Sequence, residues 1–369
     1  MDTAKEHKRL SNLFGLLRRQ MPVVGATPAD VVHRDNKARL LRYRPRPAGL
    51  AGGLPVVLVP SLINRHYVLD LMPGKSFVEY LVGEGFDVYC IDWGTPGDED
   101  RFVTFDEIVD DMLGRALRAA TRASGAPSAH VLGYCMGGTM AVLHAAVRPQ
   151  RVASLTAVAA PIRFHDDGML SAWSNTKSFD TRALVEALGN VPWQLMQSSF
   201  QMLRPTLNLS KAVHFLDRAW DDEYLDGFFA LETWGSDNVS FPGVAWERYI
   251  QELYREDRLI AGTFSLSGRP ALLSNVTMPT CAVTFQHDNI VPSESARVLL
   301  DAVGATKKEH IHQLGGHVGA MVSRSAAKGL WPRMAAFWRS VEAEAAVSAA
   351  APKAESDVVA PKGRRRGRG

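Results

Sequence analysis

Five short stretches of this chain are apolar nearly from end to end: PVVLVP (residues 55 to 60), FDVYCID (86 to 92), AHVLGY (129 to 134), LTAVAAP (155 to 161) and TCAVTF (280 to 285). A strand with one face in water alternates apolar and polar side chains, whereas a run that is apolar throughout belongs to a strand covered on both faces. Two further strands are expected at ARLLRY (38 to 43) and EHIHQL (309 to 314), with helical patterns at Phe105 to Ala123 and Thr139 to Val147. Strands buried on both faces and alternating with helices define an α/β class with a mostly parallel sheet. A chain of 369 residues, 46% of them hydrophobic, has the apolar material for such a core.

From Pro161 to about Ser274 the strand signals fade, and five of the eight tryptophans (Trp173, Trp193, Trp220, Trp234, Trp246) fall there. The expected organisation is an N-terminal amphipathic helix over 1–26, a first core segment over 27–160, an inserted helical cap over 161–274 and a second core segment over 275–341. A disordered basic tail over 342–369 completes it, because Ala, Pro, Glu, Ser and Arg cannot bury enough surface to fold. In the first segment Leu10, Leu13, Phe14, Leu17 and Met21 share one helical face before Pro22 stops the helix. That face is expected to dock on the protein's own core or on a partner subunit.

The net charge of +3 is unevenly placed: Lys362, Arg364, Arg365, Arg366 and Arg368 leave the rest of the chain at −2. Nucleic-acid binding is therefore excluded for the body and left only to the tail. No apolar run approaches the ~20 residues that span a bilayer, and no signal-peptide pattern opens the chain, so a soluble cytoplasmic protein is expected. Three widely spaced cysteines fit neither a disulfide framework nor a zinc cluster. Cys90 and Cys281 lie within strands and read as small buried hydrophobes. His310 and His312 alternate along one strand without a third ligand, which makes them a polar strand face; no metal and no cofactor is expected.

The third cysteine is different. In VLGYCMGG, Cys135 ends an apolar strand with Gly133 and Gly137 two positions to either side, the pattern of a nucleophile held on a sharp strand-to-helix turn. A helix beginning near Gly137 aims its N-terminal amides at the sulfur and favours the thiolate. The Met136 N–H is the first candidate oxyanion donor; the second comes from the loop at Ser61 to Asn64, with Ile63 and Asn64 as candidates. A thiolate needs a base, and the base an orienter. Asp288 follows strand TCAVTF in FQHDNIVP, and His317 follows strand EHIHQL in LGGHVGA. The order nucleophile, acid, histidine is the one this elbow uses.

At these residues the chain resembles the polyhydroxyalkanoate synthase family. The resemblance runs from about Thr27 to Trp338 and rests on VPSLINRHYVLDL, DVYCIDWGTPG, GYCMGG, ETWGSDNVSFPGVAWERYIQE, HDNIVP and GGHVGA. It implies an α/β-hydrolase fold, with Cys135 as the acyl-carrying nucleophile, His317 as its base and Asp288 as the third member, which also helps to activate the attacking hydroxyl. The implied substrate is a 3-hydroxyacyl-coenzyme A, with 3-hydroxybutyryl-coenzyme A the expected monomer, and the product a polyester. The short stretch before the matching region is similar to that of two-component synthases. A second non-catalytic subunit, or a second copy of the chain, is therefore an expected partner, and the N-terminal helix acquires an alternative role on a polymer granule. The rivals are a cysteine hydrolase resembling dienelactone hydrolases or thioesterases, and a granule-binding scaffold with a vestigial site.

Overall fold

A computed structural model describes residues 3–45, 50, 52–176, 178–203 and 207–350. In it the apolar runs form the middle of an eight-stranded sheet. In chain order the strands are β1 (Ala29–Asp35), β2 (Ala38–Tyr43), β3 (Val56–Val59), β4 (Val88–Asp92), β5 (Ala129–Tyr134) and β6 (Val152–Val158). A separate hairpin follows, β7 (Ser265–Leu266) and β8 (Arg269–Pro270), and then β9 (Thr280–Phe285) and β10 (Lys308–Gln313). Across the sheet the order is β1-β2-β4-β3-β5-β6-β9-β10. β2 runs antiparallel to both neighbours and every other pair is parallel. The order reverses around β3, and ligand sites of parallel sheets gather at the carboxyl ends of strands beside such a reversal.

The helices are α1 (Thr3–Gly15), α2 (Phe77–Gly83), α3 (Leu113–Ser124) and α4 (Met136–Val147), then α5 (Met169–Ser174), α6 (Thr181–Leu188), α7 (Trp193–Met202), α8 (Leu207–Arg218), α9 (Asp222–Ser236) and α10 (Gly243–Arg248). The last three among the described residues are α11 (Ser293–Arg297), α12 (Leu299–Ala302) and α13 (Trp331–Ala350). Side chains alternate through the pleat. Val57, Val59 and Val131 meet Leu117 of α3 and Met140 of α4, while Val56, Leu58 and Leu132 meet Phe77 of α2 and Trp331 and Trp338 of α13. Both faces are covered, so the central strands are mostly apolar, and the few polar residues they carry, such as His130, Ser154, Thr156 and Thr284, are buried. Cys90 and Cys281 are fully buried in the second of these layers.

Several expectations need correction. β1 escaped sequence reading because it is an edge strand whose residues are mostly exposed, so it carries no apolar run. The helix expected from Phe105 to Ala123 opens with a π-helical segment, Glu107–Met112, before α3. The ordered chain does not stop at Val341: α13 continues to Ala350, because its Ala and Glu residues are strong helix formers. On that extension Glu342 accepts the Leu54 N–H at 2.6 Å and faces His130 Nε2 at 3.3 Å. The remainder of the expected tail, including the arginine cluster, lies outside the described residues.

The N-terminal helix departs from the first of its two expected dockings, the one on its own core. Its polar face, not its apolar one, lies on the protein. Lys8 pairs with Asp222 at 2.8 Å, Asn12 donates to the Ala219 carbonyl at 2.8 Å, and Arg19 bridges Asp222 and Asp226 at 3.1 and 2.6 Å. The acidic first turn of α9 sets the roll of the arm, which leaves Leu10, Phe14, Leu17 and Met21 facing outward, Leu17 fully exposed. Among the described residues no helix is long and apolar enough to cross a membrane.

One buried base makes stability depend on pH. His144 of α4 is buried beneath the π-helical segment, where its Nδ1 donates to the Val109 carbonyl at 2.8 Å, and burial pushes it down from 6.5 to about 4. A base depressed in the folded state destabilises as pH falls from its unfolded value toward its folded one, by roughly 3 kcal/mol for a shift of this size. Urea unfolding should show that loss between pH 6.5 and 4, and His144→Asn, which keeps the donor, should flatten it. An identical pH slope in the two proteins would refute this assignment.

Candidate active site

Strand β5 delivers Cys135 to the carboxyl edge of the sheet, and α4 begins at the next residue. Cys135 adopts φ 56°, ψ −130°, a strained conformation that the flanking strand and helix impose together. Its N–H donates to the Val158 carbonyl of β6 at 2.8 Å, and its carbonyl accepts the Gly138 N–H at 2.8 Å. The two glycines allow close approach: a Cβ on Gly133 would lie 2.4 Å from Gly138 Cα, and one on Gly137 2.0 Å from the Val59 carbonyl oxygen. Helix α4 is thereby seated directly on the end of β3.

The structure brings His317 and Asp288 to the same edge. His317 Nδ1–H donates to Asp288 Oδ2 at 2.7 Å, while Asp288 Oδ1 accepts the backbone N–H groups of Ile290 and Val291, both at 2.9 Å. Both side chains are buried, and Cys135 lies close enough to the imidazole to act on its titration. Burial alone would lower the imidazole, but the negative charges of Cys135 and Asp288 outweigh it and raise it to about 10. The chain thus holds a sulfur, an imidazole and a carboxylate in series, the arrangement that generates a nucleophile and returns a proton.

The oxyanion candidates part company. Met136 opens α4, so its N–H precedes the helical ladder and belongs to the turn that carries the sulfur. The Ile63 amide lies 3.5 Å from Ser61 Oγ, a long contact, and its loop adjoins Gly137 through the Val59 and Pro60 carbonyls. Asn64 instead engages the helical insertion, its Nδ2 donating to Asn238 Oδ1 at 2.6 Å. The same loop is fastened to the insertion by Arg65 to Asp237 at 2.9 Å, Tyr67 to Asp237 at 2.8 Å and Trp234 Nε1 to the Arg65 carbonyl at 3.0 Å. The end of α9 therefore holds the loop that carries the candidate donor Ile63.

Sequence reading missed the aromatic surroundings. Tyr249 and Tyr254 lie buried near Cys135 on a π-helical segment, Tyr249–Arg255. Their hydroxyls are pushed up by burial and by the charge on that sulfur. Trp234 and Leu231 of α9 pack against the apolar layer that also receives Cys135, whereas Trp246 packs on Phe179 in the opposite layer. No local sequence pattern marks that π-helical register, so the two tyrosines gave no signal. His310 and His312 share the Thr284 hydroxyl at 2.9 and 2.8 Å. Among the described residues no group of three or more His, Cys, Asp or Glu is placed to hold a metal.

A family model described as alpha/beta hydrolase fold matches residues 55–323, and one described as the N-terminus of poly-beta-hydroxybutyrate polymerase (PhaC) matches residues 22–81. The chain superposes on the BpoC protein of Mycobacterium tuberculosis H37Rv with a TM-score of 0.51, over 88% of this chain and 99% of that one, at 18% identity. It superposes on a thermophilic esterase of Thermogutta terrifontis with a TM-score of 0.50, over 86% and 100%, at 15% identity. The fold is that of the α/β hydrolases. Three relatives named poly(3-hydroxyalkanoate) polymerase subunit PhaC are closer in sequence. Those of Haloferax mediterranei, Allochromatium vinosum and Synechocystis are 33%, 30% and 30% identical over 84%, 86% and 92% of this chain. The chain spans 63% of the length of the Haloferax relative and 90% of each of the other two. It belongs to the poly(3-hydroxyalkanoate) polymerase family.

Proposed function

We propose that this chain is an acyltransferase that polymerises 3-hydroxyacyl-coenzyme A, with 3-hydroxybutyryl-coenzyme A as the monomer, through an acyl group carried on Cys135. The observation that supports it most is the Cys135–His317–Asp288 series on the elbow of a chain from this family. In loading, the Cys135 sulfur attacks the thioester carbonyl while His317 holds the thiol proton. The oxyanion is met by the Met136 N–H and the Ile63 loop, and coenzyme A leaves as a thiol with that proton. One thioester replaces another, so this step is nearly neutral in free energy. In elongation the terminal hydroxyl of the chain gives its proton to His317 and attacks the Cys135 thioester, and the sulfur regains the proton. A more stable oxoester forms, so this step runs downhill.

Water competes with the hydroxyl in the second step. Residues 161–274 act as the cap that excludes it, with Leu231, Trp234, Tyr249 and Tyr254 forming its inner surface around the sulfur. The protein works in the cytoplasm at the surface of its own insoluble product, and the outward apolar face of Leu10, Phe14, Leu17 and Met21 is the contact. A second synthase subunit is the expected assembly partner.

Mixing the protein with 3-hydroxybutyryl-coenzyme A tests this reading. Coenzyme A release should accompany an insoluble polymer that carries the full chain down on centrifugation and leaves a chain lacking residues 1–21 in the supernatant. Release of free hydroxyacid alone would make the protein a cysteine hydrolase. Equal pelleting of the two chains would remove the arm from the granule contact.

A further inference from the structure

Tyr134, the last residue of β5, sits beside the nucleophile with 3% of its surface exposed. Its ring stacks on the His317 imidazole, with centroids 5.4 Å apart and planes inclined by 27°. Its hydroxyl donates to the backbone carbonyl of the same histidine at 3.0 Å. The elbow needs glycines around the cysteine, but nothing about the turn itself asks for an aromatic hydroxyl at this position.

The histidine's segment explains why a second hold matters. His317 lies among Gly315, Gly316 and Gly319, and Gly315 takes φ 127°, so the main chain here has little side-chain anchorage. The neighbouring carbonyls are engaged by the turn that follows: Gly316 accepts from Ala320 N–H at 3.0 Å, and Val318 from Met321 N–H at 2.9 Å. The carbonyl between them goes to Tyr134. Asp288 holds the ring at a single nitrogen, which leaves its plane free to tilt about that bond. The tyrosine face fixes the plane, and its electron-rich surface favours the ring once it has taken a proton.

We propose that Tyr134 is a positioning residue: its hydroxyl fixes the backbone of His317 and its ring holds the imidazole flat and favours the protonated form against Cys135. The inference rests on His317 serving as the base. It says that the residue preceding the nucleophile tunes the thiolate–imidazolium pair, a role separate from the packing of a β-strand end.

The test uses the full chain and reads Cys135 alkylation by iodoacetamide as a function of pH, located by peptide mass; Cys90 and Cys281 are fully buried and stay silent. Tyr134→Phe keeps the stack and loses the hydroxyl. Its alkylation half-point stays at the wild-type pH, while kcat for coenzyme A release falls about fivefold with KM unchanged. Tyr134→Met fills the space without a ring. Its half-point moves up by about one pH unit, because the neutral thiol–imidazole pair is then favoured, and kcat falls about 50-fold. A Tyr134→Met half-point equal to that of the wild type would overturn the ring's role. Full kcat in Tyr134→Phe, which retains the core packing should the methionine variant not fold, would overturn the hydroxyl's role. Alkylation needs no acyl substrate. A shifted profile in a chain that makes no polymer would thus keep this inference and defeat the polymerase reading, and an unshifted profile with normal polymer would do the reverse.

Discussion

Replacing Cys135 by alanine lowers coenzyme A release from 3-hydroxybutyryl-coenzyme A by at least about 10^4-fold, a loss of the size seen when the nucleophile of a triad is removed. The residual rate is what the oxyanion donors and binding supply without a covalent step. The fold survives the change. Alanine loses only the contacts that Sγ makes with the adjoining apolar layer, the site's φ of 56° is already imposed by β5 and α4, and Gly133 and Gly137 keep their close contacts. The melting temperature therefore stays within a few degrees of the wild type, or rises if relief from an activated site is felt. Turnover within tenfold of the wild type in a folded Cys135→Ala protein would remove Cys135 from the reaction.

Asp288→Asn gives the second large effect, ~10^3- to 10^4-fold in kcat, without removing any atom that touches substrate. Asparagine preserves an oxygen for the Ile290 and Val291 amides, so the turn after β9 is retained. Its amide then points at His317 Nδ1, where the carboxylate had accepted a proton-bearing nitrogen at 2.7 Å. The imidazole must present a lone pair there and carry its proton on the nitrogen that faces the sulfur, the tautomer that cannot accept a proton from Cys135. Losing the carboxylate also removes one of the two charges that raise the imidazole to about 10 against the effect of burial, so the imidazolium becomes scarcer at neutral pH. A steady-state pH profile of kcat over pH 6 to 10 checks both effects together. A variant that keeps wild-type kcat would show that orientation by Asp288 is dispensable.

How much of this was legible beforehand follows from which forces act locally. β3, β4, β5 and β9 were readable because two covered faces leave few polar positions, and β5 was placed to the residue. Cys135, Asp288 and His317 stood out as candidates because each follows a strand and the chain order of the elbow is restrictive, and the structure brings the three to one edge of the sheet. The roll of α1 was not. Its pattern gave the apolar face correctly, but the partner that turned that face outward is a pair of carboxylates, Asp222 and Asp226, about two hundred residues away. Trp234 and Trp246 were equivalent in sequence and differ only in the layer they join. Tyr134 carried no signal at all, since its function depends on where the histidine's backbone comes to rest.

The account stands on acyl transfer through one sulfur, and trapping the loaded enzyme tests that most directly. After rapid mixing with 3-hydroxybutyryl-coenzyme A and acid quenching, peptide mass spectrometry should find the hydroxybutyryl group on the peptide containing Cys135 and none on that peptide in Cys135→Ala. An acyl group on another residue, or turnover with Cys135 unmodified throughout, would contradict it.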